Sequence, residues 1–356
     1  MSMNFRELNR KKNLYLRRLK AKAGKFLFDR KNKNRFTPSQ LKTFKKILFL
    51  RNDNKIGDMI VNTLAFRELK KQLPQAQIYV LAGGSSAKTI ENNRNLSGIF
   101  ICRKKFWDTL KTGLKLRKEH FDLYIDLDRE NIFLTHLLLF LLKPRFAFGF
   151  NKTDFKAYNI TCPLDFDNNH ITAWHSAMFK ALRLQKPELN YDLFVPNSLK
   201  KEIQKQLSKL PKAKGNIALN AFASSKHRCL TALQVREIAQ SMPQYNFILT
   251  GPYEQAKQLK QAAGGNNLFT APQGDIFTSF AVIAVTDLLI TPDTCFTHAA
   301  AALDKKQICI YKASDKFNLN IWRPLSEKAA ILLAPDEFSA LPSAEIIKAA
   351  QESLGK

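Results

Sequence analysis

The chain has 356 residues, of which 45% are apolar and 24% charged, with 13 glycines and 14 prolines. At about 150 residues per domain this suits two globular domains, and it excludes fibrous, low-complexity and wholly disordered classes. The 57 Lys and Arg against 30 Asp and Glu leave a net charge of +27, which calls for a polyanion nearby: nucleic acid, an anionic membrane leaflet or a phosphorylated substrate.

Half of the excess charge lies at the start. Residues 1 to 46 hold sixteen Lys or Arg against Glu7 and Asp29, a local balance of +14. Leu14, Tyr15, Leu16, Leu19, Phe26, Leu27 and Phe28 are interleaved with these cations. Residues 1 to 44 therefore read as a basic extension whose first 36 residues suit an amphipathic arm for an anionic inner leaflet, with a solvated tail as the alternative. No apolar stretch followed by a cleavage site opens the chain, and the longest apolar run, 132 to 142, is too short to cross a bilayer. A soluble or peripheral protein is expected. Cys102, Cys162, Cys229, Cys295 and Cys309 form no CxxC pair, which argues against a zinc knuckle or disulfide framework and suits a reducing, cytoplasmic setting.

From residue 45 short apolar runs alternate with helical patterns. ILFL (47 to 50) precedes a helix over 58 to 73, and IYVLA (78 to 82) precedes one from Ser85. IFIC (99 to 102), a basic helix over 106 to 119, LYIDL (123 to 127), a helix ending at Leu142 and FAFGF (146 to 150) follow. This is the rhythm of a doubly wound parallel sheet, assigned to residues 45–195. Around 196–214 the rhythm lapses into Pro196, Pro211 and a lysine-rich amphipathic segment, a linker region. A second sheet of the same kind is expected over 215–356: IALNAF (217 to 222), FILTG (247 to 251), LFTA (268 to 271), DLLITP (287 to 292) and QICIY (307 to 311) alternate with helices over 231 to 242, 253 to 263, 276 to 285 and 296 to 303, and a last helix spans 343 to 353.

Three strand-turn-helix segments carry the chemistry. In the first, LRNDNKIGDMI (50 to 60), Asp58 opens a helix; it reads equally as a first-turn residue complementing the helix dipole and as a carboxylate able to accept a proton from a hydroxyl. In the second, ITPDTCFTHAAAAL (290 to 303), the amides after Asp293 at Thr294, Cys295 and Phe296 open a helix where a diphosphate could sit. Asp293 is otherwise a cap, and His298 a packed histidine. In the third, NAFASSKHRCLT (220 to 231), Ser224 and Ser225 stand beside Lys226 and Arg228, a phosphate clamp or an ordinary basic loop.

Together, in this order, the three segments resemble glycosyltransferase family 9, the ADP-heptose:lipopolysaccharide heptosyltransferases. The resemblance runs from about residue 45 to the end, through KKILFLRNDNKIGDMIVNTLAFRELKKQLPQAQIYVL, the ASSK segment and ITPDTCFTHAAAALDKKQICIY. It implies a GT-B fold, two Rossmann-like doubly wound parallel-sheet domains facing across a cleft, with acceptor in the first and nucleotide-sugar in the second. It further implies inversion without a metal or other cofactor, the ADP-linked sugar being a substrate. Asp58 takes the position of the family's base. Ser224, Ser225, Lys226, Arg228, Asp293, Thr294, Cys295, Phe296 and His298 fall to the donor. Departures are Cys295 where the family has glycine, Gln307 in place of proline, and Arg228-Cys229-Leu230-Thr231 where a lysine and a Trp-Pro pair are common; which of Lys226 and Arg228 meets the diphosphate stays open.

The acceptor implied, lipid A with its anionic core sugars, would suit Arg51, Lys55, Arg129 and Lys152, each otherwise an ordinary surface cation. Phe106 and Trp107 beside 103 to 105 could enter a membrane interface or pack their helix. The expectation is an inner-face, membrane-peripheral cytoplasmic heptosyltransferase. The alternatives are the same fold with another nucleotide-sugar or glycan acceptor, or a non-catalytic binder of anionic glycolipid or nucleic acid. RNA-binding and helix-turn-helix motifs are absent from the sequence, so no nucleic acid is expected.

Overall fold

The computed structural model describes residues 5–129 and 132–355, except for the side chains of residues 5–11 and 14, Leu14 among them. The chain divides into two compact units: Met1–Asn54, Ala65–Phe166 and Thr172–Glu188 in the first, Lys55–Leu64, Asp167–Ile171 and Leu189–Lys356 in the second.

In the first unit the described residues form β1 (Lys46–Arg51), β2 (Gln77–Ala82), β3 (Gly98–Ile101), β4 (Leu123–Asp126), β5 (Phe146–Phe150) and β6 (Ile160–Cys162), parallel throughout in the order β3-β2-β1-β4-β5-β6. Their apolar runs are continuous because inner strands of such sheets are covered on both faces; β1, β4 and β5 are buried almost end to end. Leu48 stands opposite Tyr79 on one side and Tyr124 on the other, so the strand order reverses on either side of β1, and the loops that follow β1 and β4 meet at the switch point. The helices are α1 (Phe5–Phe28), α2 (Ile56–Gln72), α3 (Gly84–Thr89), α4 (Phe106–Arg117), α5 (Phe133–Leu142) and α6 (Ile171–Ala181). The first turns of α2 and the first residue of α6 are grouped with the second unit.

From residue 24 onward the basic extension is no solvated tail. α1 crosses α5 at Gly24, where a Cβ would stand 2.9 Å from the Phe133 Cα. Phe28 meets Phe133 edge-on and Phe140 at a tilt, with centroids 5.4 and 5.6 Å apart. The Asp29 carboxylate accepts the amides of Lys156 and Ala157, and the side-chain amides of Asn32 and Asn34 donate to the Arg145 carbonyl. Buried apolar contact and satisfied polar groups together fix this segment on the unit.

The second unit holds α7 (Asn197–Leu207), β7 (Gly215–Leu219), α8 (Ala232–Ser241), β8 (Tyr245–Leu249), α9 (Tyr253–Ala263), β9 (Leu268–Thr270), α10 (Ile276–Val285), β10 (Leu288–Pro292), α11 (Cys295–Ala302), β11 (Lys306–Lys312), α12 (Lys316–Trp322), β12 (Ala329–Ala334) and α13 (Ser343–Gly355). Its parallel sheet runs β12-β11-β10-β7-β8-β9, the same winding with its switch point between β7 and β10. The core joins Ile217, Leu219, Phe247, Leu249, Ile290 and Ile310 of the strands to Val235, Ile238 and Ile346 of the helices. The stretch 196–214 contains α7, which packs on α10 within this unit. No helix among the described residues is long and apolar enough to cross a membrane.

Candidate functional site

In the second unit a cavity of about 500 Å³ opens at the switch point, the size of a small-ligand site. Asn220, Phe222, Ala223 and Ser224 line it from the loop after β7. Gly251 and Pro252 line it between β8 and α9, and Tyr253 and Gln255 from the first turn of α9. Gly274, Asp275, Ile276 and Ser279 contribute from the start of α10, and Thr294, Cys295 and Phe296 from the start of α11. Pro252, Asp275 and Thr294 are the N-cap residues of α9, α10 and α11. Three helix N-termini therefore face one cavity, and their aligned peptide dipoles make it favourable to anions.

Local hydrogen bonds hold this geometry. The Thr294 hydroxyl accepts the Phe296 amide at 3.3 Å and meets the Thr291 hydroxyl at 3.1 Å, and Asn220 Nδ2 donates to Thr291 Oγ1 at 2.9 Å. The β7 loop and the β10 turn are thus tied together beneath the cavity. Because the Thr294 hydroxyl already holds the Phe296 amide, this turn offers a ligand its Thr294 and Cys295 edge together with the wall that Phe296 contributes.

Arg228 and Lys226 separate clearly. Arg228 Nη1 donates to Asp293 Oδ2 at 3.2 Å and Nη2 to Ser224 Oγ at 3.0 Å; Asn318 Nδ2 on α12 donates to the same Asp293 oxygen at 2.5 Å. Burial pushes the Asp293 carboxyl up from its usual range, and the Asn318 amide and Arg228 guanidinium pull against it. Arg228 is thereby held beside Ser224 at the cavity wall. Lys226 is exposed on the short 3-10 turn at 226–228, and Ser225 precedes that turn half-buried.

Asp58 lies in the first turn of α2, its side chain mostly buried, with Lys55 Nζ 3.8 Å from Oδ2. The residue before it, Gly57, is in contact with α11: a Cβ there would stand 2.9 Å from His298 Cδ2 and 3.4 Å from the Cys295 Cα. The carboxylate and the α11 turn that lines the cavity are therefore neighbours within one unit. Thr63 Oγ1 in the same part of α2 accepts the Asp192 amide at 2.8 Å, a further tie between 55–64 and the rest of the second unit.

His298 is packed rather than presented. It is buried, with the Tyr191 and Trp322 rings edge-on at 6.0 Å, and its Nδ1 has no hydrogen-bond partner among the described residues. Burial lowers its pKa to about 4, so the imidazole is neutral at neutral pH. Burial likewise pushes the Cys295 thiol up to about 12, which removes the thiolate from the chemistry of the cavity.

The cations expected for an acceptor are mostly engaged elsewhere. Arg51, the last residue of β1, pairs with Asp53 at 3.2 Å and Asp128 at 3.4 Å. Lys152 is only 1% exposed; Nζ donates to the Asp128 carbonyl at 3.1 Å and lies over the Tyr158 ring. This corrects its reading as an acceptor-facing cation, because a lysine so far from water serves to brace the 128–129 loop. Arg129 lies over the Phe166 ring at 5.7 Å, and Lys55 remains 66% exposed.

Sequence reasoning missed the cavity wall at 251–255 and 274–279, and Asn318. Gly251-Pro252 and Gly274-Asp275, each just ahead of a helix, are turn and cap signals that mark those two loops; nothing local marks Asn318.

The family model for glycosyltransferase family 9 (heptosyltransferase) matches residues 109–352. A protein of Escherichia coli (strain K12) provisionally named lipopolysaccharide heptosyltransferase 4 is 25% identical over 345 residues, 94% of this chain and 93% of its own. Among solved structures, a family 9 glycosyl transferase from Veillonella parvula DSM 2008 superposes with a TM-score of 0.76 at 16% identity, covering 87% of this chain and 97% of that one. The E. coli ADP-heptose lipopolysaccharide heptosyltransferase II gives a TM-score of 0.71 at 18% identity, over 87% and 98%. Their likeness carries the fold, two doubly wound domains of the GT-B type. The chain belongs to glycosyltransferase family 9, the heptosyltransferase family, and is a glycosyltransferase.

Proposed function

We propose that the chain transfers a heptose from ADP-heptose to the inner core of lipopolysaccharide or lipooligosaccharide with inversion at the anomeric carbon, Asp58 acting as base. The observation that carries this reading is the convergence of three helix N-termini on one cavity, with Arg228 bonded to Ser224 of its wall, next to the turn that bears Asp58. A nucleoside diphosphate is the ligand such a site suits, and ADP-heptose is named by kinship with the E. coli relative.

A carboxylate is a weak base for a sugar hydroxyl, so its proton transfer comes late, once the bond to the diphosphate has loosened toward an oxocarbenium-like state. Stabilising the leaving diphosphate then matters most. Arg228, the Ser224 hydroxyl and the Thr294 and Cys295 turn supply positive potential where charge develops, the task a metal ion performs in other transferases; on this ground the reaction is proposed to be metal-independent. Donor binding is assigned to the second unit and acceptor binding to the first, with α1 holding the protein on the inner face of the cytoplasmic membrane.

Thermal shifts with ADP, UDP, GDP and CDP test the donor. A ligand that binds only the folded protein stabilises it by about 2.7 kcal/mol at a hundredfold excess over Kd. Stabilisation by ADP alone, lost in Arg228→Ala, is the expected result; stabilisation by UDP or GDP instead would replace the donor. Cys295, standing where the family has glycine, favours that second reading, another nucleotide-sugar in the same cavity.

A further inference from the structure

The first unit contains a groove of about 640 Å³ whose lining includes none of the residues assigned above to donor or acceptor. Leu16 of α1, Phe106 of α4 and Phe133 of α5 give it an apolar lining, and Arg17, Lys20 and Lys104 line it beside them. A second groove, about 520 Å³, lies toward the other end of α5 and repeats the pattern, lined by Phe28 and Phe140 together with Arg30, Lys31 and Lys143.

The wall made by α1 is fixed, since Gly24 and Phe28 anchor it on α5. On the other side of α1, apolar side chains among the described residues are exposed. Tyr15, Leu19 and Phe26 are 63%, 44% and 84% exposed, and at 3.6 residues per turn they fall within about 40° of one another around the axis. Arg18 and Lys22 flank this stripe in sequence. On α4, Trp107 is 67% exposed and meets the Phe106 ring edge-on with centroids 5.2 Å apart. An aqueous anion would satisfy the cations and leave the lining dry, whereas an apolar peptide would fill the lining and gain nothing from the cations. A lipid with an anionic headgroup uses both, and the exposed stripe with its neighbouring cations is the pattern of a helix lying in a membrane interface.

We propose that the groove between α1, α4 and α5 seats an acyl chain of an anionic membrane phospholipid, with Arg17, Lys20 and Lys104 on its phosphate. The α1 stripe and Trp107 enter the same leaflet. The inference rests on the membrane placement proposed above and is independent of the donor's identity.

The test uses the full chain and vesicles of phosphatidylglycerol or phosphatidylcholine whose acyl chains carry bromine, a quencher of tryptophan. On phosphatidylglycerol the tryptophan emission is expected to be quenched, with the quenched part absent in Trp107→Phe. Leu16→Asp is expected to weaken vesicle binding at least tenfold, and Lys20→Glu with Lys104→Glu to weaken it and abolish the preference for phosphatidylglycerol. The ADP thermal shift, read on the same proteins without vesicles, is expected to be unchanged; its absence in the wild type would strike the donor reading and leave this inference standing. Vesicle binding without bromine quenching, binding indifferent to Leu16→Asp, or no binding would overturn the proposal. So would a self-associated species that Leu16→Asp dissociates while vesicle binding persists, because the groove would then be covered by a second copy.

Discussion

Gly57 and His298 are in van der Waals contact through a position that tolerates no side chain: a methyl group on Gly57 would stand 2.9 Å from the imidazole Cδ2. Glycine is required here by close approach, and the contact sets the height of the α2 turn that carries Asp58 above the α11 turn that lines the cavity. His298 cannot yield readily, since Tyr191 and Trp322 pack around it.

Gly57→Ala is therefore expected to push the α2 turn away from α11. Overpacking of this kind costs about 1 to 3 kcal/mol, and a displaced base costs rate beyond that. Urea unfolding is expected to show the stability loss, and kcat to fall at least tenfold with little change in ADP affinity. An alanine variant with wild-type kcat would separate the position of Asp58 from this contact.

Arg228 holds Ser224 and Asp293 with two nitrogens of one planar group. Lysine keeps the charge but not the fork, so Arg228→Lys is expected to weaken ADP binding about tenfold to a hundredfold, in line with about 1.5 to 3 kcal/mol for a hydrogen bond to a charged group. Lys226→Ala is expected to change it less than threefold. Calorimetric titration with ADP distinguishes the two, and equal losses would return Lys226 to the site.

The depressed pKa of His298 has a consequence for stability. An unfolded histidine titrates near 6.5 and the folded one near 4. The unfolded chain thus takes up the proton first, and this contribution is complete above about pH 6.5 and is lost as pH falls toward and through 4. Between pH 7 and 4.5 it amounts to about 2 to 3 kcal/mol. Urea unfolding at both pH values is expected to show a smaller drop in His298→Gln than in the wild type; an equal drop would mean that His298 is not buried neutral.

Lys152 braces the loop after β4 through the Asp128 carbonyl. Lys152→Met retains the apolar stem and removes the donor, with an expected loss of about 1 to 3 kcal/mol in stability and an unchanged ADP shift. A stable variant with raised acceptor KM would instead put Lys152 on the acceptor.

Much of the fold was legible because inner strands of a doubly wound sheet are unbroken apolar runs. LFL in β1, FIL in β8 and LLI in β10 each fall inside the strand expected from them. Among the elements that escaped, three lack that signal: β6 is three residues long, β12 is an alanine-rich strand at the sheet edge with partial exposure, and α12 is a seven-residue helix, capped by Asp315, in which Lys and Asn interrupt the apolar residues. Candidate site residues on the turns after β1, β7 and β10 could be named because switch-point loops are local in sequence. That Lys55–Leu64 groups with the second unit could not be read, because it depends on the seat of Gly57 against Cys295 and His298, more than two hundred residues away. The docking of residues 24–34 on α5 and the 156–157 backbone was hidden in the same way, behind a composition that also suits a solvated tail.

In the proposed reaction Asp58 takes the acceptor's proton while the second unit binds the donor. The most direct measurement is ADP release from ADP-heptose in the presence of a lipopolysaccharide-core acceptor, made on the wild type and on Asp58→Asn, with ADP affinity measured on both. Release by the wild type is expected, with a fall of at least a hundredfold in Asp58→Asn, consistent with the roughly 10²–10⁴-fold that general base catalysis contributes, and ADP affinity within threefold. Turnover by Asp58→Asn near the wild-type rate would contradict it.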